Sequence, residues 1–299
     1  DRIGQSTLPA AVRDLATDAV HDRWASLELT CGEWHPSLTA SGGDLFVHVE
    51  AYAHPPALAQ IGAGGLEMLH SFAAPDAAVP AGRIEPISWR AADGLEIQGW
   101  LVSDPEATQP APLLVDIHGG PIWAHRNRWA ARMRAGALLV ARGWSVLLPN
   151  MRGAPGRGQD FARRVVRDMG GIDAGDIIDG VDRLVADGRV DRSRVAVTGA
   201  SYGGFMSACL VTRHDWLAAA IPISPVTNWY SQHYTSQIPS FDEAFLVGSP
   251  REPGAQYFER SPAFFATGAK TPTLIMAGAR DKNTPPTQAL EFHHALIEA

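Results

Sequence analysis

The segment from Val195 to Gly204 restricts the fold of this chain more than any other. Its first residues alternate like a buried strand, the pentapeptide Gly199-Ala200-Ser201-Tyr202-Gly203 follows, and Phe205 to Arg213 has helical spacing. A strand, a sharp G-x-S-x-G turn and a helix, in this order, are typical of a nucleophile elbow that exposes a serine Oγ. Glycines flank the serine because side chains there would collide with the strand and the helix. Ser201 is therefore a candidate nucleophile, with a purely structural turn as the alternative.

From residue 83 to residue 299, short apolar strands alternate with helices. Asp93-Gly94 indicates a hairpin between strands at 84–90 and 95–102. Further strands are predicted at 113–117, 145–148, 195–198, 218–223 and 273–277, and helices at 129–142, 176–187, 205–213 and from Pro286 through Ile297. This alternation predicts an α/β-hydrolase fold, with a mostly parallel, doubly wound sheet and helices on both faces. Because such a sheet normally has one more strand after the last helix, we expect that strand beyond Ala299.

Residues 1–82 differ from the rest because their runs alternate with the period of a strand. Runs at 24–31, 44–50 and 66–72 predict a β-meander, with turns at Gly42-Gly43, Pro55-Pro56 and 62–65. A short meander cannot bury two faces alone, so it is interpreted as the end of a β-propeller, with a small independent β-domain as the alternative. Residues 75–82, rich in Pro, Ala and Gly, predict a linker between the two domains.

The composition argues against several classes of function. The formal net charge is −7, and acidic and basic residues are interspersed, so no nucleic-acid partner is expected. No apolar run approaches the ~18 residues of a membrane span, so no membrane partner is expected. Cys31 and Cys209 form no C-x-x-C pattern and leave the compartment undecided. There is no metal-ligand cluster, phosphate loop or dinucleotide fingerprint, so neither a metal nor a cofactor is predicted.

The ends of the predicted strands carry the other candidate residues, because ligands bind at the carboxyl ends of parallel strands. After the strand at 113–117, an N–H of the loop His118-Gly119-Gly120-Pro121 could join the N–H of Tyr202 in holding an oxyanion; a tight turn is the alternative. His118 precedes the serine and is interpreted as a residue that organises this loop. Arg152 could anchor a substrate carboxylate or brace neighbouring loops, and bracing is favoured. Asp281, after the strand at 273–277, suits the acid of a triad in the order Ser, Asp, His.

A catalytic base is not visible in the sequence. His293 and His294 follow Asp281 on the last predicted helix, which places them at the wrong end of the sheet. We therefore expect the histidine of the triad beyond residue 299.

Together these motifs resemble the prolyl oligopeptidase family of serine peptidases, in its acylaminoacyl-peptidase and dipeptidyl-aminopeptidase branch. The residues that carry the resemblance are His118 to Pro121, Pro149 to Gly153, Gly170 to Asp173 with Asp176, Gly199 to Gly204, Ser224 to Asn228 and Gly278 to Asp281. The resemblance implies Ser201 as nucleophile, Asp281 as triad acid and the amides of Gly120 and Tyr202 as oxyanion donors. It also implies a propeller that admits only short peptides. The chain departs from the family by lacking its histidine and most of its propeller.

These observations favour a serine peptidase that cleaves short peptides near their N-terminus through an acyl-enzyme. A carboxylesterase and a non-catalytic binding module on the same fold are the alternatives. Substrate contacts are predicted for Arg152, Asn228, Trp229 and Tyr230; the last two, with Tyr234, Phe241 and Phe245, belong to an irregular insertion at 228–262 that could form an apolar wall or pack against the propeller. The sequence leaves the oligomeric state undecided.

Overall fold

The computed structural model describes residues 10–13, 17–26, 28–31, 38–73, 82–133 and 136–299. In this part of the chain there are thirteen strands and seven α-helices. The strands are β1 (Ala10–Arg13), β2 (Val20–Trp24), β3 (Thr30–Cys31), β4 (Leu38–Ser41), β5 (Asp44–Ala51), β6 (His54–Gly62), β7 (Gly65–Ser71), β8 (Arg83–Arg90), β9 (Glu96–Ser103), β10 (Ala111–Ile117), β11 (Ser145–Asn150), β12 (Val190–Ala200) and β13 (Ala219–Ile223). The helices are α1 (Gly136–Val140), α2 (Gln159–Arg163), α3 (Ile172–Ala186), α4 (Tyr202–Arg213), α5 (Trp229–Thr235), α6 (Ser240–Phe245) and α7 (Pro286–Glu298), and 3₁₀ turns lie at Ala130–Arg132 and Pro262–Phe265.

Strands β3 to β7 form an antiparallel meander, as the alternation of their residues predicts, and β1 pairs with β2 in a separate two-stranded sheet. The order is β3-β5-β6-β7, and β4 also pairs with β5. Val47, Val49, Ala59 and Ile61 are buried on one face, so this sheet has a small core of its own. That it belongs to a propeller stays a prediction. Most of the predicted linker, residues 75–81, lies outside the described residues.

Two details of the predicted meander are wrong. The run at 24–31 is not one strand, because β2 ends at Trp24 and β3 begins at Thr30. Pro55-Pro56 does not form a turn but lies in β6, where His54 pairs with Ala51. Proline is tolerated in the first residues of a strand, and the chain reverses just before it.

The sheet formed by β8 to β13 is mixed, with the order β13-β12-β10-β11-β9-β8. The pairings among β11, β10, β12 and β13 are parallel, while β9 and β8 form the predicted antiparallel hairpin at one edge. Beyond β13, the segment Thr273 to Met276 continues the sheet through parallel bridges to Ala220 and Ile223. Apolar residues are buried on both faces of this sheet: Leu113 and Val115 face one cluster, and Leu114 faces the other. This is the predicted α/β-hydrolase arrangement, with an antiparallel edge.

Helices α3 and α4 begin earlier than predicted, at Ile172 and Tyr202, and two other segments differ more. The helix expected at 129–142 is a 3₁₀ turn at Ala130–Arg132 and the short helix α1, with residues 134–135 between them outside the described part. The insertion at 228–262 is more regular than expected, because it contains α5 and α6. No helix in the described residues is long and apolar enough to cross a membrane.

The meander and the mixed sheet are joined through the segment 125–132, which follows the glycine loop after β10. The side chain of Asn127 accepts a hydrogen bond from the amide of Tyr52 at 2.8 Å. The amide of Trp129 donates to the carboxylate of Glu50 at 3.0 Å, and the amide of Ala130 donates to the carbonyl of Tyr52 at 3.2 Å. The turn after β5 therefore holds this segment in place beside the carboxyl ends of the parallel strands.

Candidate active site

Ser201 lies at a strained turn between β12 and α4. Its backbone angles are φ 57° and ψ −115°, a conformation that residues with a side chain rarely adopt. A Cβ atom at Gly199 would lie 2.5 Å from the carbonyl oxygen of Ile117, and one at Gly203 would lie 2.1 Å from the same atom. Both positions therefore require glycine because β10 passes so close. The structure confirms the strand, turn and helix that the G-x-S-x-G pattern predicts.

Four strand ends contribute residues to one cleft of about 500 Å³. His118 follows β10, Ser201 follows β12, Ser224 follows β13, and Asp281 follows the bridged segment Thr273 to Met276. The carboxyl ends of neighbouring parallel strands meet at one edge of the sheet, which is why these residues come together. The structure thus places the candidate nucleophile and the candidate acid in the same cleft.

Hydrogen bonds fix the carboxylate of Asp281. The amides of Asn283 and Thr284 donate to Oδ1 at 2.9 and 3.0 Å, and the Thr284 hydroxyl donates to Oδ2 at 3.0 Å. The Ser224 hydroxyl donates as well. Partial burial acts to raise the pKa of Asp281, but these donors outweigh it and hold the pKa below its usual value. The carboxylate is therefore ionised at neutral pH, as an acid that orients an imidazole must be.

The two predicted oxyanion donors are backbone amides at defined turns. Tyr202 is the first residue of α4, and the first amides of an α-helix have no acceptor within the helix. Gly120 has φ +113°, and a Cβ atom there would lie 2.4 Å from the amide nitrogen of Ile122. Gly119, its neighbour, lines the cleft. Oxyanion binding by Gly120 and Tyr202 stays a prediction.

The side chain of Tyr202 is anchored behind the elbow. Its hydroxyl donates to the carboxylate of Asp173 and accepts from the amide of Gly170 at 3.3 Å. Asp173 lies in the first turn of α3 and is completely buried, which raises the pKa of its carboxyl to about 7. These contacts tie the residue after the nucleophile to the start of α3.

The histidines of the cleft have structural partners. His118 donates from Nδ1 to the carbonyl of Gly119 at 2.7 Å, and burial lowers its pKa to about 4. His125 contacts the carbonyl of Asp116 through Nε2 at 2.8 Å. The hydrogen bonds to Asp281 in the described part of the chain come from Ser224, Asn283 and Thr284, and none from an imidazole. His293 and His294 are exposed on α7 and do not line the cleft.

Two of the residues for which substrate contacts were predicted have structural partners. Arg152 is only 2% exposed and is paired with Asp93 and Asp176, so it braces the loops, as favoured above. Asn228 caps α5, because its side chain accepts from the amides of Tyr230 and Ser231.

Trp229 is 1% exposed and packs edge-on against Phe205 in the core. Tyr230 packs against Tyr257. Neither of these two residues is among the described residues that line the cleft. At these two positions the structure shows packing within the domain, and contact with a substrate stays a prediction.

The sequence did not reveal which residues form the walls of the cleft. Ile122 and Trp123, which are 53% and 43% exposed, supply apolar surface directly after the glycine loop. Arg126, Arg128 and Arg132 line the cleft from the segment that joins the two sheets. The signal that could have identified these residues is their position in the sequence shortly after the glycine loop. In the described residues, no group of three or more His, Cys, Asp or Glu side chains is arranged to hold a metal.

The fold and the elbow define an α/β-hydrolase domain with a serine at the nucleophile position. The model of the prolyl oligopeptidase family matches residues 130–299, more than half of the chain. The chain therefore belongs to the prolyl oligopeptidase family, whose members are serine peptidases.

Individual relatives agree with this assignment. The chain is 34% identical to the uncharacterized peptidase YuxL of Bacillus subtilis over 216 residues, which are 71% of this chain and 32% of the relative. It is 32% identical to the acylamino-acid-releasing enzyme of Sus scrofa over 214 residues, 68% of this chain and 29% of that enzyme. The structure of a Pyrococcus horikoshii acylaminoacyl peptidase, 25% identical, superposes with a TM-score of 0.84 over 97% of this chain and 46% of its own. The chain thus spans about a third of the length of these curated relatives.

Proposed function

We propose that this chain carries the catalytic domain of a serine peptidase that hydrolyses peptide bonds of short peptides through an acyl-enzyme on Ser201. The observation that carries the proposal is the shared cleft, in which Ser201 at a strained turn and the ionised Asp281 face the same space. The names of the relatives, an acylamino-acid-releasing enzyme and an acylaminoacyl peptidase, support release of the N-terminal residue of a blocked or short peptide.

In this mechanism, Ser201 Oγ attacks the carbonyl carbon and its proton passes to an imidazole that Asp281 orients. The amides of Gly120 and Tyr202 hold the carbonyl oxygen as it becomes negative. The imidazolium then protonates the departing amine, and water hydrolyses the ester on Ser201 by the same steps. The proposal keeps the expectation that the imidazole belongs to a histidine beyond Ala299.

The N-terminal sheet has a role in the same proposal. Its hydrogen bonds to Asn127, Trp129 and Ala130 attach it to the segment that lines the cleft. We assign it to a propeller that limits access to short peptides. Amide hydrolysis needs a closely positioned substrate, whereas activated esters need less positioning, so a screening domain favours a peptidase over an esterase.

The test uses the full-length protein. A fluorophosphonate is expected to label Ser201, and Ser201→Ala should abolish labelling and lower turnover of aminoacyl anilides by several orders of magnitude. Asp281→Asn should lower kcat/KM by about 10⁴-fold, because the imidazole loses the carboxylate that fixes its tautomer. Ser193→Ala and Asp182→Asn, at exposed positions, are the matched controls.

Two results would contradict the proposal. Labelling of a serine other than Ser201 would show that Ser201 is not the nucleophile. Hydrolysis of p-nitrophenyl esters without activity on any peptide anilide would replace the peptidase with the carboxylesterase.

A further inference from the structure

The cleft that contains Ser201 has an arginine-lined side that the catalytic mechanism does not use. We call Arg126, Arg128 and Arg132 the cleft rim; all three line the cleft. Arg132 is paired with Glu50, since its Nε lies 3.5 Å from a carboxylate oxygen. The other two residues have no such carboxylate within ion-pair distance among the described residues.

Arg126 is the residue of the cleft rim whose hydrogen-bonding capacity is least used. Its Nε and Nη1 are buried from solvent, and neither has an acceptor in the described part of the chain. Burial and the neighbouring Arg128 lower the pKa of Arg126, so the guanidinium lies where an anion would stabilise it. A buried N–H group without an acceptor is unfavourable, and a bound acceptor would remove that penalty.

Neither Glu50 nor Asp281 meets this need. Glu50 is 1% exposed and accepts from the amide of Trp129 as well as facing Arg132. The carboxylate of Asp281 is occupied by the donors from Ser224, Asn283 and Thr284.

Both sequence neighbours of Arg126 are held by hydrogen bonds within the protein. His125 donates from its amide to the side chain of Asn150 at 2.7 Å, and its carbonyl accepts from the same side chain at 3.0 Å. Asn127 accepts from the amide of Tyr52 at 2.8 Å and donates to the carbonyl of Glu28 at 2.8 Å. A guanidinium whose backbone is already ordered loses less entropy when it binds a ligand.

We propose that Arg126, together with Arg128, binds a carboxylate of the peptide substrate. This inference rests on the proposed peptidase function and narrows its substrates to peptides with an anionic group near the cleaved bond. The guanidinium matches a carboxylate because its planar fork can donate two parallel hydrogen bonds. The carboxylate can be the free C-terminus of a short peptide or an Asp or Glu side chain, and the experiment separates these two sources.

Binding is measured in the full-length protein carrying Ser201→Ala, so that no turnover is required. The probes are tri-alanine with a free C-terminus, its C-terminal amide, and the amide of Ala-Glu-Ala. We expect at least one anionic probe to bind about 10- to 100-fold more tightly than the neutral amide, which is the range for a charge-assisted hydrogen bond. Preference for the free acid identifies the C-terminus, and preference for Ala-Glu-Ala amide identifies the side chain.

Variants of Arg126 assign the effect. Adding Arg126→Gln should remove the preference, and Arg126→Lys should retain part of it, since lysine keeps the charge but loses the fork. Arg183→Gln, which replaces an exposed arginine of α3 that pairs with Asp187, should leave the preference unchanged.

Equal binding of all probes, no binding of any, or a preference that survives Arg126→Gln would overturn the inference. Failure of the proposed function is recognised separately, because it is a failure of the fluorophosphonate to label Ser201.

Discussion

Arginines behind the elbow and at the cleft rim occupy different environments, although both follow strands of the same sheet. Arg152 directs Nε and Nη2 to Asp176 and Nη1 to Asp93, with the contacts to Asp176 at 2.6 to 3.1 Å. Arg126 has two buried nitrogens without an acceptor among the described residues. The difference indicates that Arg152 serves the fold, whereas Arg126 retains binding capacity for a ligand.

Arg152 and its partners belong to a larger group of polar residues. We call Arg152, Asp93, Asp176, Asp173 and Tyr202 the inner network. It consists of two hydrogen-bonded groups that meet on the first turns of α3. Arg152 joins Asp176 to the β8–β9 hairpin through Asp93, and Tyr202 joins Asp173 to the elbow. Hydrogen bonding to Arg152 lowers the pKa of Asp93 to about 2, so this pair stays charged across the neutral range.

The largest expected effect comes from breaking the inner network at its buried carboxylate. Asp176→Ala leaves the guanidinium of Arg152 buried with Asp93 alone, and we expect the free energy of unfolding in urea to fall by about 3–5 kcal/mol. The double variant Arg152→Met/Asp176→Leu should recover most of this loss, since no charge then remains buried. Asp182→Ala is the control on the same helix; its carboxylate pairs with Arg192 at the surface, where a pair contributes about 0–1 kcal/mol.

Equal destabilisation in the single and the double variant would contradict this interpretation. It would mean that packing, and not the unpaired guanidinium, accounts for the loss.

The sequence predicted the parts of the site that depend on local pattern. The elbow could be predicted from its glycines, which are required because β10 passes close to them. Asp281 could be predicted because it is an acid directly after a strand. The partners of the arginines could not be predicted in this way. Asp93 and Asp176 lie 59 and 24 residues from Arg152 in sequence, so only the folded chain shows that they are its acceptors.

The sequence left two interpretations of the insertion at 228–262 open for a related reason. An aromatic-rich segment after a strand is compatible with a substrate wall and with the core, and composition does not distinguish the two. Trp229 is buried against Phe205, on the helix after the elbow, with the two ring centroids 5.2 Å apart. The walls come instead from Ile122, Trp123 and the cleft rim, whose placement depends on the contact between the two sheets.

A smaller and pH-dependent effect is expected at Asp173. Its pKa rises from 3.8 to about 7 on folding, chiefly through burial, so the folded state binds a proton that the unfolded state releases. The stabilisation from this carboxyl is complete below about pH 4 and is lost as pH rises through about 7. Relative to Asp173→Asn, the wild type should lose up to about 4 kcal/mol of unfolding free energy over this window.

Urea unfolding at a series of pH values measures the difference between the two proteins, with Asp182→Asn as the control. A difference that stays constant between pH 4 and pH 7 would mean that Asp173 has the same protonation in the folded and the unfolded state over this range. In that case, the hydrogen bond from Tyr202 to Asp173 forms without uptake of a proton by Asp173 on folding.

The smallest effect on stability is expected at the cleft rim, where the comparison is sharpest. Arg126→Met removes two buried nitrogens that have no acceptor among the described residues and keeps an apolar chain of similar length to pack in their place. We expect the free energy of unfolding to be unchanged or to rise by up to about 1 kcal/mol, whereas Arg152→Met, which leaves Asp176 buried without its partner, should lower it by several kcal/mol. Urea unfolding of both variants under the same conditions gives the comparison directly. A loss of more than about 2 kcal/mol in Arg126→Met would show that the protein itself stabilises this guanidinium. Arg126 would then be a structural residue like Arg152, and the carboxylate site at the cleft rim would lose its physical basis.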